Sequence, residues 1–444
     1  MSRLALQVVD LCFGDSGKGT MVDYLVRRHA ATLVVRFNGG PQAGHNVVLP
    51  DGRHHTFAQF GAGTFSPGVR TLLSRFTLIE PYALFNEADH LSSLGVHDAL
   101  TRLFIDERCL VITPPQQIAN RLRERGRGAA AHGTCGLGVG ECVADAVTRP
   151  DLALRAGDLR TPAIVRRKLA DMLAYKRAGL SDLRSVATTE EQRVLDDAAW
   201  IDVAMEACSE LVERTNILTP KAANALLRDS STSVFEGAQG VLLDIDHGTF
   251  PYVTSSNCVA GAVATGVGVA PQKVDRVLGI AKAYTTRVGS GPFPTELIGA
   301  IGDRLQTEGK EFGATTGRPR RCGWLDLLVL KHSVRVSGLT SLALTKLDVL
   351  STFESIPICT GYRWRGEVLT EFPENLEVLE GAQPIYEEMH GWTSSLDGVS
   401  RFEDLPDAAR AYVETIEKAL GVPVDMISIG PDRKETIIRR HPLS

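Results

Sequence analysis

No apolar run in this 444-residue chain approaches the roughly 20 residues that a bilayer-spanning helix needs, so no membrane partner is expected. An excess of basic charge is missing as well. Lys and Arg total 48 against 53 Asp and Glu, a formal charge of −5, whereas nucleic-acid binding starts from a concentrated positive field. The eight cysteines include no C-x-x-C pair and no zinc-finger spacing, which reads as reduced, mostly buried thiols in a cytoplasmic protein. The opening "MSRLALQVVDLCFGDSGKG" has no small-residue cleavage site and does not read as a signal peptide. Fixed-period repeats and low-complexity linkers are absent too. With 43% hydrophobic residues the chain is globular, and it reads as one elaborated domain over 1–444 rather than several beads.

Glycine, by contrast, is abundant where elements change. Residues 4–13, "LALQVVDLCF", are almost continuously apolar and read as a buried strand. The loop "GDSGKG" follows, then "TMVDYLVRRHA", whose Met21, Val22, Leu25 and Val26 share one helical face, then strand-like "ATLVVRF" at 31–37. Strand, glycine turn, helix, strand is the grammar of a parallel sheet. Toward the other end, "GLTSLALTKLDVL" and "VPVDMISIGP" are strand-like runs that finish in polar residues. Between them lies a helical subregion at about 100–230, rich in Ala, Leu, Arg and Glu. The expected fold is α/β, a large single domain with a central, mostly parallel twisted sheet and ligands at the carboxyl ends of its strands.

Several segments could carry chemistry there. In "FGDSGKGT", residues 13–20, loop amides and a helix start converge on an anion, and Lys18 can neutralise phosphate oxygens. A Walker A loop needs Gly at position 12; Cys12 makes this turn P-loop-like only. Asp15 inside it would repel phosphate unless a cation intervened, and Mg²⁺ commonly bridges carboxylate and phosphate oxygens. His45, in "GGPQAGHNV", can pass a proton near neutral pH. In "TKLD", Asp348 can accept both N–H donors on guanine's edge while the Lys346 stem covers the ring, although the Asn of the pattern N-K-x-D is missing. "EFGATTGRPRRCGWLD" sets Arg318, Arg320 and Arg321 beside Gly313, Thr315 and Thr316, a cradle for carboxylate or phosphate. "EGAQGVLLDIDHGTFPYVTSSN" gathers Gln239, Asp246, His247 and Thr254 in a glycine-rich stretch without periodicity.

These segments, together with "KAYTTRVGSGPFPTE" and "SIGPDR", stand in the order found in adenylosuccinate synthetases. The chain resembles that family over nearly its whole length, most specifically from residue 236 onward. The resemblance implies a homodimeric enzyme that joins aspartate to inosine monophosphate (IMP), driven by GTP hydrolysis with Mg²⁺. It implies Asp15 as the base that takes the purine N1 proton and, with the Gly44 carbonyl, as a metal ligand. His45 resembles the acid supporting phosphate departure from GTP, and Gln239 is the third catalytic candidate. Gly14, Gly17, Lys18, Gly19, Gly44 and His45 would meet GTP, with Lys346, Asp348, Ser428, Gly430 and Pro431 forming its guanine pocket. Gln42, Cys135, Gln239, Thr254, Val288 and Arg318 match acceptor contacts, and Arg149 matches an arginine reaching the partner subunit's nucleotide. Gly313, Thr315, Thr316, Arg318 and Arg320 would clamp aspartate.

The departures from the family pattern matter for the acceptor. Ser16 follows Asp15 where the family has Glu, and Gln42 and Asn46 stand where Asn and Thr are expected. In "GTCGLGVGE", Cys135 replaces Thr and Glu141 replaces Pro; "SRFTL" at 74–78 replaces G-N-G-V-V. All are expected on the acceptor's side. Two other readings therefore stay open: the same chemistry on another 6-oxopurine nucleotide, a guanylate or a purine analogue, or a GTP-binding regulator without ligase activity. The regulator would have no use for the cradle at 313–321. Retained Asp15, Lys18, His45 and Arg318 argue against a catalytically dead paralogue.

Overall fold

The computed structural model describes residues 4–313 and 317–440. Ten strands make the main sheet: β1 (Leu4–Asp10), β2 (Leu33–Arg36), β3 (Arg70–Leu73), β4 (Leu103–Asp106), β5 (Asn216–Leu218), β6 (Thr232–Glu236), β7 (Arg276–Lys282), β8 (Ser341–Thr345), β9 (Val424–Ser428) and β10 (Thr436–Ile438). Their spatial order is β10-β9-β8-β7-β1-β6-β2-β3-β4-β5, parallel throughout except for the antiparallel edge pair β9–β10. The central strand β1 has distant partners in the chain: Leu4 pairs with Thr232 and Leu6 with Arg276.

Successive side chains along each strand enter opposite cores. Val8, Val34, Val234 and Ala343 belong to one, and Val9, Val35, Phe235 and Leu344 to the other. Burying a side chain of the Val or Leu class contributes about 1.5–3 kcal/mol, which is why strands covered on both faces read as continuous apolar runs. The helix Lys18–Arg28 packs Met21, Val22, Leu25 and Val26 into the first core, and Arg27 and Arg28 in its last turn complement its negative end. On the other face the helix Leu327–Ser337 starts at Asp326, whose side chain accepts from the amides of Leu328 and Val329, and stops at Gly338 in a left-handed conformation.

The helices Pro114–Gly126, Val139–Thr148, Pro162–Gly179, Thr189–Asp196 and Trp200–Arg214 form one excursion between β4 and β5. Among the described residues no helix is long and apolar enough to cross a membrane. All eight cysteines are free thiols, and only Cys135 is not fully buried. One boundary differs from the sequence reading. The first strand ends at Asp10, not 13, because the Asp10 carboxylate draws the following amides back toward itself and turns the chain out of the sheet.

Candidate active site

The glycine loop is built around Asp10. Its carboxylate, buried at the end of β1, accepts from the amides of Cys12 (3.1 Å), Gly14 (3.2 Å) and Ser16 (3.0 Å), and from Lys18 Nζ at 3.0 Å. Lys18 Nζ also donates to the Gln239 carbonyl at 2.6 Å, tying the loop to the segment after β6. Gly240 makes that approach feasible. A Cβ there would lie 2.3 Å from the Cys12 carbonyl oxygen and 2.5 Å from the Gly14 nitrogen. Asp15, Gln239 and Lys346, all candidates from sequence, have φ of 60°, 58° and 58°. Left-handed backbone at non-glycine residues is strain of the kind that clusters at functional sites, and Asp15 and Gln239 share one cavity.

His45 comes from the hairpin after β2, whose strands are His45–Val48 and His54–Phe57. Its Nδ1 lies 2.5 Å from Glu236 Oε1 at the end of β6, and Glu236 Oε2 accepts from the Ala62 amide at 3.0 Å. Burial, then the charge of Arg36, push the imidazole down to about 4 against the opposing pull of Glu236. Burial works to raise Glu236, but Arg36 and then His45 hold its carboxyl below the ordinary range. The ring is therefore neutral near pH 7, with Nδ1–H donated to Glu236 and Nε2 left for a ligand.

That depressed value makes a stability prediction. The unfolded chain takes up this proton near pH 6.5 and the folded one only near 4, so stability present above about 6.5 is lost as pH falls toward 4. The loss amounts to about 3 kcal/mol. Urea unfolding at several pH values should give His45→Gln a shallower decline than wild type across this window; parallel curves would refute the assignment.

Arg320 joins the loop to the aspartate cradle. Its Nε donates to Asp15 Oδ2 at 2.8 Å and its Nη1 to the buried Glu311 at 2.6 Å. Arg318 Nη1 donates to the Gly133 carbonyl at 2.7 Å. One cavity is lined by Gly14, Asp15, Lys18, Gln42, Gly44, His45, Cys135, Gln239, Val288, Gly313 and Arg318, with Phe13, Ala43 and Leu243 as apolar walls. Both amide atoms of Gln42 and the Oε1 of Gln239 are buried there without a hydrogen-bond partner among the described residues. Burial raises the Cys135 thiol above its ordinary value, so it presents a neutral S–H.

The remaining candidates lie elsewhere along the same sheet edge. Thr345 Oγ1 at the end of β8 donates to the Ser16 carbonyl at 2.8 Å, and a Cβ at Gly17 would touch the Thr345 side chain. Beyond it Lys346 Nζ donates to the Gly309 carbonyl at 2.5 Å. Asp348 is raised by burial, and its Oδ1 lacks a partner among the described residues. Ser428 Oγ donates to the Gly430 carbonyl at 2.8 Å at the end of β9, with Pro431 exposed beside it. These five do not line the cavity above. Gly19 lies where the helix presses on the His45 hairpin; a Cβ would meet the Asn46 carbonyl oxygen at 2.5 Å. Thr254 lies outside the cavity, its amide bonded to the Leu243 carbonyl. Arg149 is half-buried and paired with Asp151 at 2.9 Å. Thr315 and Thr316 fall outside the described residues. Of the departures, Gln42 and Cys135 face the cavity, and Arg75, Phe76, Thr77 and Leu78 line a neighbouring one with Arg108, Arg155 and Ser255; the Leu78 amide donates to the Gly39 carbonyl at 2.8 Å, and a Cβ at Gly40 would meet both the Leu78 carbonyl oxygen and Gln42 Oε1.

This constellation can be set beside known proteins. The family model described as adenylosuccinate synthetase matches residues 7–437. The chain belongs to the adenylosuccinate synthetase family. It is 44% identical to the adenylosuccinate synthetase of Bordetella petrii over 98% of both chains, and 43% identical to that of Halothermothrix orenii over 97% of this chain and 98% of that one. The fully ligated Plasmodium falciparum adenylosuccinate synthetase superposes with a TM-score of 0.86 at 29% identity, covering 98% of this chain and all of that one. A cyanophage S-2L succinoaminodeoxyadenylate synthetase, bound to dGMP and dATP, shares the fold at a TM-score of 0.64 and 17% identity, covering 100% and 97%. The family is one of GTP-dependent ligases.

Three residues that organise the site escaped the sequence reading: Asp10, Glu236 and Glu311. The first two are the last residue of an apolar strand, and Glu311 directly precedes "FGATTGR". A lone carboxylate ending a buried strand was the available signal, because such a group stays buried only when donors converge on it.

Proposed function

We propose that the protein is a cytoplasmic GTP-dependent ligase that joins the amine of L-aspartate to carbon 6 of IMP, giving adenylosuccinate, GDP and phosphate. The observation that carries this reading is the convergence of Asp15, Lys18, His45, Gln239 and Arg318 on one cavity. A 6-oxo group leaves poorly. Asp15 takes the N1 proton, O6 becomes nucleophilic and bonds to the γ-phosphorus of GTP, and the bond to the bridging oxygen of GDP breaks. The aspartate amine then attacks carbon 6, and phosphate departs with O6. Lys18 and the loop amides neutralise charge on the phosphates, the main requirement of phosphoryl transfer. His45 must gain a second proton to act as an acid; negative phosphate charge against the ring favours that gain, with Glu236 fixing its orientation.

Among the described residues no three His, Cys, Asp or Glu side chains could together hold a metal. Asp15 and the Gly44 carbonyl, which share the cavity, would hold Mg²⁺, an ion that binds through one or two carboxylates beside substrate phosphates rather than in an all-protein cage. When bound, the ion supplies charge neutralisation at the phosphates. The unpartnered Asp348 oxygen supports guanine as the base at the end of β8, and Gly313, Arg318 and Arg320, with Thr315 and Thr316, would clamp aspartate. Arg149, whose side chain is partly open to solvent, supports a homodimer in which it reaches the partner subunit's nucleotide.

One observation favours a second reading, the same chemistry on a guanylate or a purine analogue: Gln42 and Cys135 alter the cavity wall itself. Steady-state assays with IMP, GMP, dGMP and a purine analogue, each with aspartate and GTP, decide. IMP should give the highest kcat/KM. A higher value for a guanylate reassigns the acceptor, and GTP turnover that ignored both aspartate and nucleotide would end the ligase reading.

A further inference from the structure

Glu311, buried with no exposed side chain, serves two ends of the site with its two oxygens. Oε1 accepts from Lys346 Nζ at 2.7 Å and from the Tyr284 hydroxyl at 2.6 Å. Oε2 accepts from Arg320 Nη1 at 2.6 Å and from Lys282 Nζ at 2.8 Å. Arg320 then reaches Asp15 through Nε. One carboxylate therefore holds three cations, two of which belong to pockets assigned above to different substrates.

Resting on that reading, in which Lys346 faces guanine and Arg320 faces aspartate, we propose that Glu311 is a positioning residue that couples the two pockets. Water cannot reach its carboxylate, so its charge is shared among the donors already present. A nucleotide that draws Lys346 away from Oε1 leaves more of that charge to Arg320 and Lys282. The guanidinium is then held more firmly, and the next carboxylate meets a donor already in place. Such coupling is reciprocal, so aspartate tightens the guanine nucleotide by the same factor.

Isothermal titration of GDP with and without saturating aspartate tests this in wild type and in Glu311→Gln, which keeps the size and removes the charge. In wild type, aspartate should lower the GDP Kd at least threefold. In Glu311→Gln both Kd values should rise tenfold or more, and the aspartate effect should vanish. A carboxylate that merely holds the fold together would weaken both ligands and keep their ratio; that result overturns the proposal, as does a wild-type ratio of one. Tyr284→Phe removes one uncharged donor from Oε1 and serves if the first variant does not fold. The ratio of the GDP Kd without aspartate to that with it should then depart from the wild-type ratio, and an unchanged ratio overturns the coupling. Wild-type turnover with GTP, aspartate and acceptor tests the underlying reading separately, so the two failures are distinguishable.

Discussion

Replacing Asp15 by Asn should lower kcat by about 10²–10⁴-fold, the usual share of general acid–base assistance, while GTP binding remains measurable. The substitution is clean for a structural reason. Asp15 has φ of 60°, and Asn is among the side chains that tolerate this left-handed conformation best, so the loop keeps its shape. The amide retains an oxygen for Arg320 Nε, now 2.8 Å from Oδ2, and loses only charge and basicity. Steady-state turnover with IMP, aspartate and GTP, alongside titration with GDP, separates the roles. Turnover near wild type would take Asp15 out of the base role; loss of GDP binding together with turnover would make it a phosphate-site residue instead.

Asp10→Asn should do the largest damage to stability. Its carboxylate is fully buried and faces three amides and the Lys18 ammonium, with no other acidic group bonded to that lysine among the described residues. An amide in its place turns one acceptor into a donor and leaves a buried ammonium without its counter-charge. Breaking one partner of a buried pair costs about 3–5 kcal/mol. Urea unfolding at pH 7 should show a loss of that size, and phosphate-dependent binding of GDP should weaken with it. A loss below about 1 kcal/mol, the net worth of an ordinary hydrogen bond, would mean that the loop holds itself without Asp10.

Much of the sheet could be read from the sequence because its strands are buried on both faces. Runs such as "LALQVVD" and "SLALT" fill every position with residues that a core accepts, and each ends where a polar residue appears. Strand order could not be read, since β1 lies between β6 and β7, and no local pattern records a partner so distant. The site was legible where residue type limits the chemistry, as with Asp15, Lys18, His45 and Arg318, which converge on one cavity. Glu236 and Glu311 were not, because their importance lies in what surrounds them. A carboxylate becomes a positioning group only once the fold brings Arg36 and His45, or Lys282, Arg320 and Lys346, against it. The segment 74–78 shows the same limit from the other side: a departure from a family pattern says that something changed, and only geometry says what it packs against, here Gly39 and Gly40 beside Gln42.

The position of β1 bears on how the protein is made. On the ribosome this strand emerges well before its neighbours, and both its hydrogen-bonding edges wait for segments around 232 and 276. Until then its apolar faces and the nascent loop that follows have nothing to close against, a non-local arrangement of the kind that folds slowly and exposes aggregation-prone surface. Nucleotide affinity should therefore switch on only after those segments have emerged, and shorter nascent chains would depend on chaperones while they wait.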